Sequence, residues 1–202
     1  YAVRLAANFI YGAQMGWFSL GGVTHGPNLD TRCGPMYTLD SFLSPKHDPE
    51  VEFLQLLAAS RGVMQRYFVH GRLVRPVQIT PTPGTFMAPP QKLLPNNKGP
   101  FPKLSSSVWS TSTTNSSART ICVFLVTSTK ATVTASFTMS MKDYFGDAGG
   151  LHYLVSSIDH TGARDYVAEV NNGVVKLTRQ VLGRSVQMLE IVASAPPVNQ
   201  IG

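Results

Sequence analysis

The first seventy-five residues carry a helix–strand–helix pattern of hydrophobic positions. Apolar residues recur at near-helical spacing in the opening stretch YAVRLAANFI, and an apolar run over residues 13–20 follows. That run predicts a strand covered on both faces, as in a parallel sheet. A second helix is predicted over residues 49–69, with Asp48 as its cap and Pro49 in its first turn. Because one strand cannot form a sheet, we expect its partner strands elsewhere, most simply before Tyr1.

The second half of the chain has the short alternating pattern of an antiparallel β protein. Asn171-Asn172-Gly173 is typical of a hairpin turn between two of its strands. Strands with turns every 8–12 residues, over roughly a hundred residues, favour a β-sandwich. The predicted strands cover residues 106–110, 118–128, 132–139, 151–157, 165–170, 173–177 and 185–192.

A proline-rich segment separates the two patterns. Residues 76–104 contain eight of the fourteen prolines, which excludes helix and favours edge strands and a linker. We therefore place a boundary near Arg75. The expected parts are a barrel end over residues 1–75, the proline-rich linker with edge strands over 76–104, and the sandwich over 105–202.

The composition favours an extracellular or lumenal protein. Only 14% of the residues are charged, against about 25% in typical soluble domains. Asn115-Ser116-Ser117 is a glycosylation sequon in a Ser/Thr-rich stretch. No apolar stretch is long enough for a membrane-spanning helix. No signal peptide is recognisable, so a secreted form would be a processed piece.

The net charge of +6 does not by itself indicate a nucleic-acid partner. The seventeen Lys and Arg residues are scattered, which favours a basic surface without a dedicated partner. A basic accessory subunit of a nucleoprotein complex is the weakest alternative, and it would predict steeply salt-dependent binding to polyanions. We therefore expect no nucleic-acid partner.

Residues that would hold a metal or cofactor are not grouped in this sequence. Cys33 and Cys122 are the only cysteines, too few for a disulfide framework or a zinc site, and Cys122 lies in an apolar run that predicts a buried thiol. The five histidines are dispersed, and no glycine-rich phosphate loop is present. We expect neither a metal nor a cofactor.

Three segments taken in order resemble the C-terminal end of a known enzyme family. They are the strand GAQMGWFSL, the helix FLQLLAASRGVMQRYFVHGRLVRP and the closing stretch VVKLTRQVLGRSVQMLEI. The chain resembles retaining glycoside hydrolases of the α-galactosidase-like superfamily, or their uncharacterised relatives of the DUF6259 type. The positions that carry the resemblance are Arg61, Tyr67, Phe68, Gly71, Leu73, Pro76, Val108, Trp109, Leu182, Arg184, Ser185, Val186, Leu189 and Glu190.

The resemblance implies the C-terminal strand–loop–helix of a (β/α)8 barrel, followed by an antiparallel β-sandwich. A whole barrel needs about 250 residues, so most of it would lie outside this chain. The catalytic carboxylates would lie there too, at the ends of middle barrel strands. The remaining N-terminal part, or a second processed chain, is therefore the expected partner. This chain alone should be inactive.

The resemblance also implies where a sugar would bind. Active sites of such barrels lie at the C-terminal ends of strands and in the loops that follow. Trp17 and Phe18 would stack on the sugar and Gln14 would bind its hydroxyls, although side chains that fill the barrel are the alternative. His25 and Asp30 in the long loop could line the same site; solvated or turn-forming roles are favoured for them.

Two classes of function remain open for the intact protein. The intact protein would hydrolyse O-glycosidic bonds with two carboxylates. The alternative is a non-catalytic structural or carbohydrate-binding glycoprotein, whose missing strands would lack those carboxylates.

For Trp109, packing in the core is favoured over stacking on a sugar.

Overall fold

A computed structural model describes residues 2–13, 45, 48–87, 99–112, 119–146, 152–170 and 173–194. Within these ranges the chain forms a few helices and many strands. The helices are α1 (Ala2–Ile10), α2 (Asp48–Val63), α3 (Gln65–His70) and α4 (Met141–Phe145). The strands are β1 (Arg72–Val74), β2 (Ile79–Thr80), β3 (Thr85–Phe86), β4 (Phe101–Pro102), β5 (Leu104–Ser112), β6 (Arg119–Thr127), β7 (Val133–Ser140), β8 (His152–Ile158), β9 (Arg164–Val170), β10 (Val174–Val181) and β11 (Val186–Ser194).

Every described strand pair is antiparallel, which confirms the pairing expected for the second half of the chain. A six-stranded sheet has the order β1-β5-β6-β11-β8-β9, and a three-stranded sheet has the order β10-β7-β2. Strands β3 and β4 form a separate pair. Each of the predicted strands corresponds to one of β5 to β11.

The six-stranded and three-stranded sheets pack face to face across one hydrophobic core. Ile121, Val123 and Leu125 of β6 point into it, opposite Phe137 and Met139 of β7, and all five are buried. Their spacing of two residues is what one face of a strand requires. We refer to these two sheets together as the sheet pair.

The other face of the six-stranded sheet is covered by helices. Cys122, Phe124 and Val126, the alternate residues of β6, pack in a second core with Phe9 of α1 and Leu57 of α2. Strand β6 is therefore buried on both faces. This explains its continuous apolar sequence, which differs from the alternating pattern of β7.

The helix predicted over residues 49–69 is divided in two. Met64, between α2 and α3, has φ −101° and ψ 20°, outside helical geometry. Gly62, shortly before it, is a poor helix former. Residues 141–145 form the short helix α4, in which Met141 and Phe145 lie about one turn apart and are both buried.

Segments near the predicted boundary contribute to both sheets. Strand β1 pairs with β5 in the six-stranded sheet, and β2 lies at the edge of the three-stranded one. The three-part division of the chain stays a prediction. Among the described residues, no helix is long and apolar enough to span a membrane.

Two glycines give a matched test of the packing around α3. At Gly71 a Cβ atom would lie 2.3 Å from the Tyr67 carbonyl oxygen and 2.9 Å from that of Ser110, both fixed backbone atoms. We expect Gly71→Ala to lower the free energy of unfolding by about 1–3 kcal/mol. At Gly62, inside α2, nothing lies within 4 Å of such an atom, so Gly62→Ala should raise it by about 0.5–1 kcal/mol. Denaturant unfolding measures both, and equal effects would contradict this account.

Candidate functional site: the seam between helices and sheet

Several side-chain hydrogen bonds join distant parts of the chain at the surface where α1, α2 and α3 meet the six-stranded sheet; we call this surface the seam. One row of opposed residues crosses it. Its middle members are buried under the helices, whereas its ends are exposed. From β1 to β9 the row is Leu73, Trp109, Cys122, Glu190, Ser156 and Tyr166.

A buried carboxylate occupies the middle of the row. The Glu190 side chain is 1% exposed, and its two oxygens accept hydrogen bonds from Arg66 of α3 and Arg164 of β9. The Tyr67 hydroxyl donates to Glu190 Oε1 at 2.7 Å. A buried charge is stable only when it is paired and hydrogen-bonded, and this one has three donors. The cluster therefore joins a helix to two strands.

Tyr67 acts as a neutral donor in this cluster. Burial raises the pKa of its hydroxyl far above the ordinary value, and the nearby Arg66 and Arg164 offset that only in part. The phenol therefore keeps its proton across the physiological range and continues to donate to Glu190. Its ring also lies 6.4 Å from that of Phe124, nearly perpendicular to it.

Aromatic rings fill the seam beside this cluster. Phe68 stacks on Phe124 with ring centroids 5.0 Å apart, and it meets both Phe9 and Trp109 edge-on at 5.3 Å. Phe9 in turn meets Phe124 at 5.5 Å. These are the offset and edge-to-face distances at which aromatic pairs attract beyond simple burial. The rings fix α1 and α3 against the sheet.

Two donors hold the end of α1. Trp109 Nε1 donates to the Ile10 carbonyl at 3.0 Å, and Arg61 Nη2 donates to that of Gly12 at 2.9 Å. Arg61 Nη1 reaches the Ala13 carbonyl at 3.3 Å, and its guanidinium lies 4.9 Å from the centroid of the Phe68 ring. Carbonyls at a helix C-terminus lack partners within the helix, and cations suit them. Arg61 thus fixes the chain where it enters residues 14–44.

A cleft of about 500 Å³ opens where α2 begins. Arg184 borders it from the turn before β11 and donates to Glu50 of α2 at 2.6 Å. Its φ of 49° is in the left-handed region, which a non-glycine residue rarely adopts. The other lining residues are Pro49, Glu52, Phe53, Leu56, Lys130 and Gly183.

The predicted sugar-binding residues lie outside the described residues, so their roles stay predictions. The same holds for the sequon and for one cysteine. This set comprises Gln14, Trp17, Phe18, His25, Asp30, Cys33 and Asn115.

Trp109 and Cys122 both lie among the described residues. Trp109 is a core residue, as expected, and lies between the sheet and the helices. Cys122 is a free, buried thiol. In the described ranges no three His, Cys, Asp or Glu side chains are grouped as a metal site would require.

Sequence reasoning missed the ionic part of the seam. Tyr67 and Glu190 were among the residues that carry the resemblance, but their contact and the roles of Arg66 and Arg164 were not foreseen. A signal was present, since Glu190 interrupts the apolar alternation of SVQMLEIV at a position that a buried strand would fill with an apolar residue. That signal indicates a buried charge but does not identify the residues that pair with it.

Cys122, the buried thiol in the row, should be unreactive in the folded protein. Burial raises the pKa of Cys122, so almost none of it is thiolate at pH 8, where a free thiol begins to ionise. We expect iodoacetamide to leave Cys122 unmodified in the native protein and to modify it fully in denaturant. Peptide mapping by mass spectrometry separates it from Cys33. Modification of the folded protein at the rate of a small thiol would contradict the burial.

Parts of this chain are similar to known proteins. No family model matches the chain. A curated protein from Monosiga brevicollis, named "Putative glycoside hydrolase 22789", is 43% identical over 106 residues. The match covers 52% of this chain and 9% of that protein. Over about half of its length the chain is thus related in sequence to a protein that bears this name, and it spans about a tenth of that protein. The finer assignment to α-galactosidase-like or DUF6259-type proteins stays a prediction.

Solved structures give only partial overlaps. A glycoside hydrolase family 5 protein from Bacteroides vulgatus matches 81% of this chain and 28% of its own, with 10% identity and a TM-score of 0.36. An α-galactosidase from Saccharomyces cerevisiae matches 67% of this chain and 36% of its own, with 8% identity and a TM-score of 0.36. At these scores the overlaps carry no argument about fold or function.

Proposed function

We propose that this chain is the C-terminal portion of a glycoside-hydrolase-like protein. In this proposal α1, the predicted strand at 13–20 and α2–α3 complete a (β/α)8 barrel, and the sheet pair is the β-sandwich that buttresses it. The seam is the observation that carries the proposal, because it joins the helices to the sheet through aromatic and ionic contacts at once. The sequence relationship to a protein named as a glycoside hydrolase supports it.

The catalytic carboxylates would lie outside this chain. Glycoside hydrolysis uses one carboxyl group as an acid and a second as nucleophile or base, on either side of the scissile bond. Glu190 is buried and bound to two guanidinium groups, so it is not available for that role. Glu50 and Glu169 are paired with Arg184 and His152. These three acids thus serve the fold, which is consistent with chemistry supplied by the upstream strands.

This chain would supply one wall of the sugar site. Trp17 and Phe18 would stack on the sugar, and Gln14 would bind its hydroxyls, with His25 and Asp30 in the following loop. Arg61 supports that role, because it holds the carbonyls of the two residues that precede Gln14. The partner would be the remaining N-terminal part of the barrel, or a second processed chain. The protein would be extracellular or lumenal, with Asn115 glycosylated.

The test is an assay of the full-length gene product on a panel of aryl glycosides. We expect hydrolysis, and we expect Trp17→Ala to raise KM or abolish turnover without changing the melting temperature. Trp109→Phe is the matched control, because it removes the hydrogen bond to Ile10 and should lower the melting temperature while leaving KM unchanged. Sugar binding without hydrolysis of any glycoside would favour the non-catalytic glycoprotein instead.

A further inference from the structure

The cluster around Glu190 has more positive than negative charge. Arg66 and Arg164 share the single carboxylate of Glu190, and their side chains are 41% and 50% exposed. A guanidinium group has five N–H donors, and the contacts to Glu190 and Tyr67 use only a few of them. Each arginine therefore keeps donors that face solvent, and Glu190 holds the two groups in place.

Among the described residues, no acid other than Glu190 forms an ion pair with Arg66 or Arg164. Glu169, further along β9, contacts His152 at 3.0 Å instead. Asp165 is opposed to Ser157, so it lies on the face of β9 opposite to Arg164 and Tyr166. The cluster thus carries a net charge of about +1 at the surface of the seam.

An exposed aromatic ring lies next to these arginines. Tyr166 is 66% exposed, and it lies on the same face of β9 as Arg164, roughly 7 Å further along the strand. In the row across the sheet it is opposed to Ser156, which is opposed to Glu190. Leu154, also partly exposed, is the next residue on that face of β8. Two fixed cations and an open aromatic ring thus share one corner of the seam.

We propose that this corner binds a sugar residue that bears a carboxylate, a uronic acid. Arg66 and Arg164 would donate to the carboxylate, for which the planar guanidinium fork is well matched. The Tyr166 ring would pack against the apolar C–H face of the sugar, and Ser156 would lie beneath its hydroxyls. The choice of a carbohydrate as the ligand class rests on the proposed function. The choice of an acidic one rests on the excess charge.

The test compares acidic and neutral oligosaccharides in binding to the full-length gene product. Galacturonate and glucuronate oligomers, with their neutral galactose and glucose counterparts, are titrated by calorimetry. We expect the acidic sugars to bind and the neutral ones to bind at least about tenfold more weakly, since one charge-assisted hydrogen bond accounts for that ratio. Added salt should weaken only the acidic sugars.

Variants at exposed positions separate binding from folding. We expect Tyr166→Ala to weaken acidic-sugar binding about tenfold at unchanged melting temperature. Tyr11→Ala is the matched control, since Tyr11 is 68% exposed but lies at the end of α1, and it should have no effect. Arg164→Lys keeps the charge but loses the planar fork, so it should weaken binding while retaining a paired Glu190.

Three outcomes would overturn the inference. The first is equal binding of acidic and neutral sugars, and the second is binding of acidic sugars that is unchanged in Tyr166→Ala. The third is competition by acetate for the binding of acidic sugars that does not depend on Tyr166. Hydrolysis measured on the same preparation keeps the two proposals distinct. Absence of hydrolysis with Tyr166-dependent binding would remove the proposed activity and leave this site. Hydrolysis without Tyr166-dependent binding would leave the proposed activity and remove this site.

Discussion

Replacing both Arg66 and Arg164 by glutamine is expected to lower the free energy of unfolding by about 3–5 kcal/mol, because it leaves Glu190 buried with only a phenol as partner. Breaking a buried ion pair from one side costs more than the pair contributes, since the remaining charge keeps its desolvation penalty. Urea unfolding followed by circular dichroism measures the change. Each single replacement should cost less, because the other arginine still serves the carboxylate.

A compensating substitution of Glu190 tests whether its unpaired buried charge causes the loss of stability. Adding Glu190→Leu to the double variant removes the buried charge, and it should recover most of the lost stability. Lys176→Gln is a control for the loss of positive charge, because Lys176 is exposed on β10, away from the seam, and should change stability by less than about 0.5 kcal/mol. If Glu190→Leu made the double variant less stable still, the ion cluster would not be the source of the effect.

The strands of the sheet pair could be predicted because their burial is periodic. β7 and β8 alternate buried and less buried positions, and this alternation appears directly in the sequence. β6 was found for a different reason, as a continuous run of β-branched and apolar residues between turn residues. The short edge strands β1 to β4 carry too few residues for either signal. Their positions are set by neighbours that are distant in sequence.

The seam could be predicted only in outline. A face of α1 rich in apolar residues indicates that something covers it, but not that Phe9 meets Phe68 and Phe124 there. The pairing of Arg66 with Glu190 joins residues 124 positions apart, which no local pattern reports. The helix was predicted to continue without a break to residue 69, and the interruption at Met64, a buried residue, was not foreseen.

Phe124→Ala is expected to lower the free energy of unfolding by about 3–5 kcal/mol and to loosen the helices before the sheets. Phe124 is fully buried, and its ring contacts those of Phe9, Phe68 and Tyr67, so its removal leaves a cavity at the centre of the seam. Hydrogen exchange followed by mass spectrometry should show faster exchange in α1, α2 and α3.

Phe137→Ala is the matched control, because Phe137 is equally buried but lies in the core between the two sheets. Phe137→Ala should lower the free energy of unfolding by a similar amount. It should speed hydrogen exchange in β7 and β10 and leave hydrogen exchange in α1 nearly unchanged. The contrast depends on β6, whose two faces belong to different cores. If both variants speeded exchange in the same elements to the same degree, the two cores would open as one cooperative unit, and the sheet pair would not be stable without the helices that cover it.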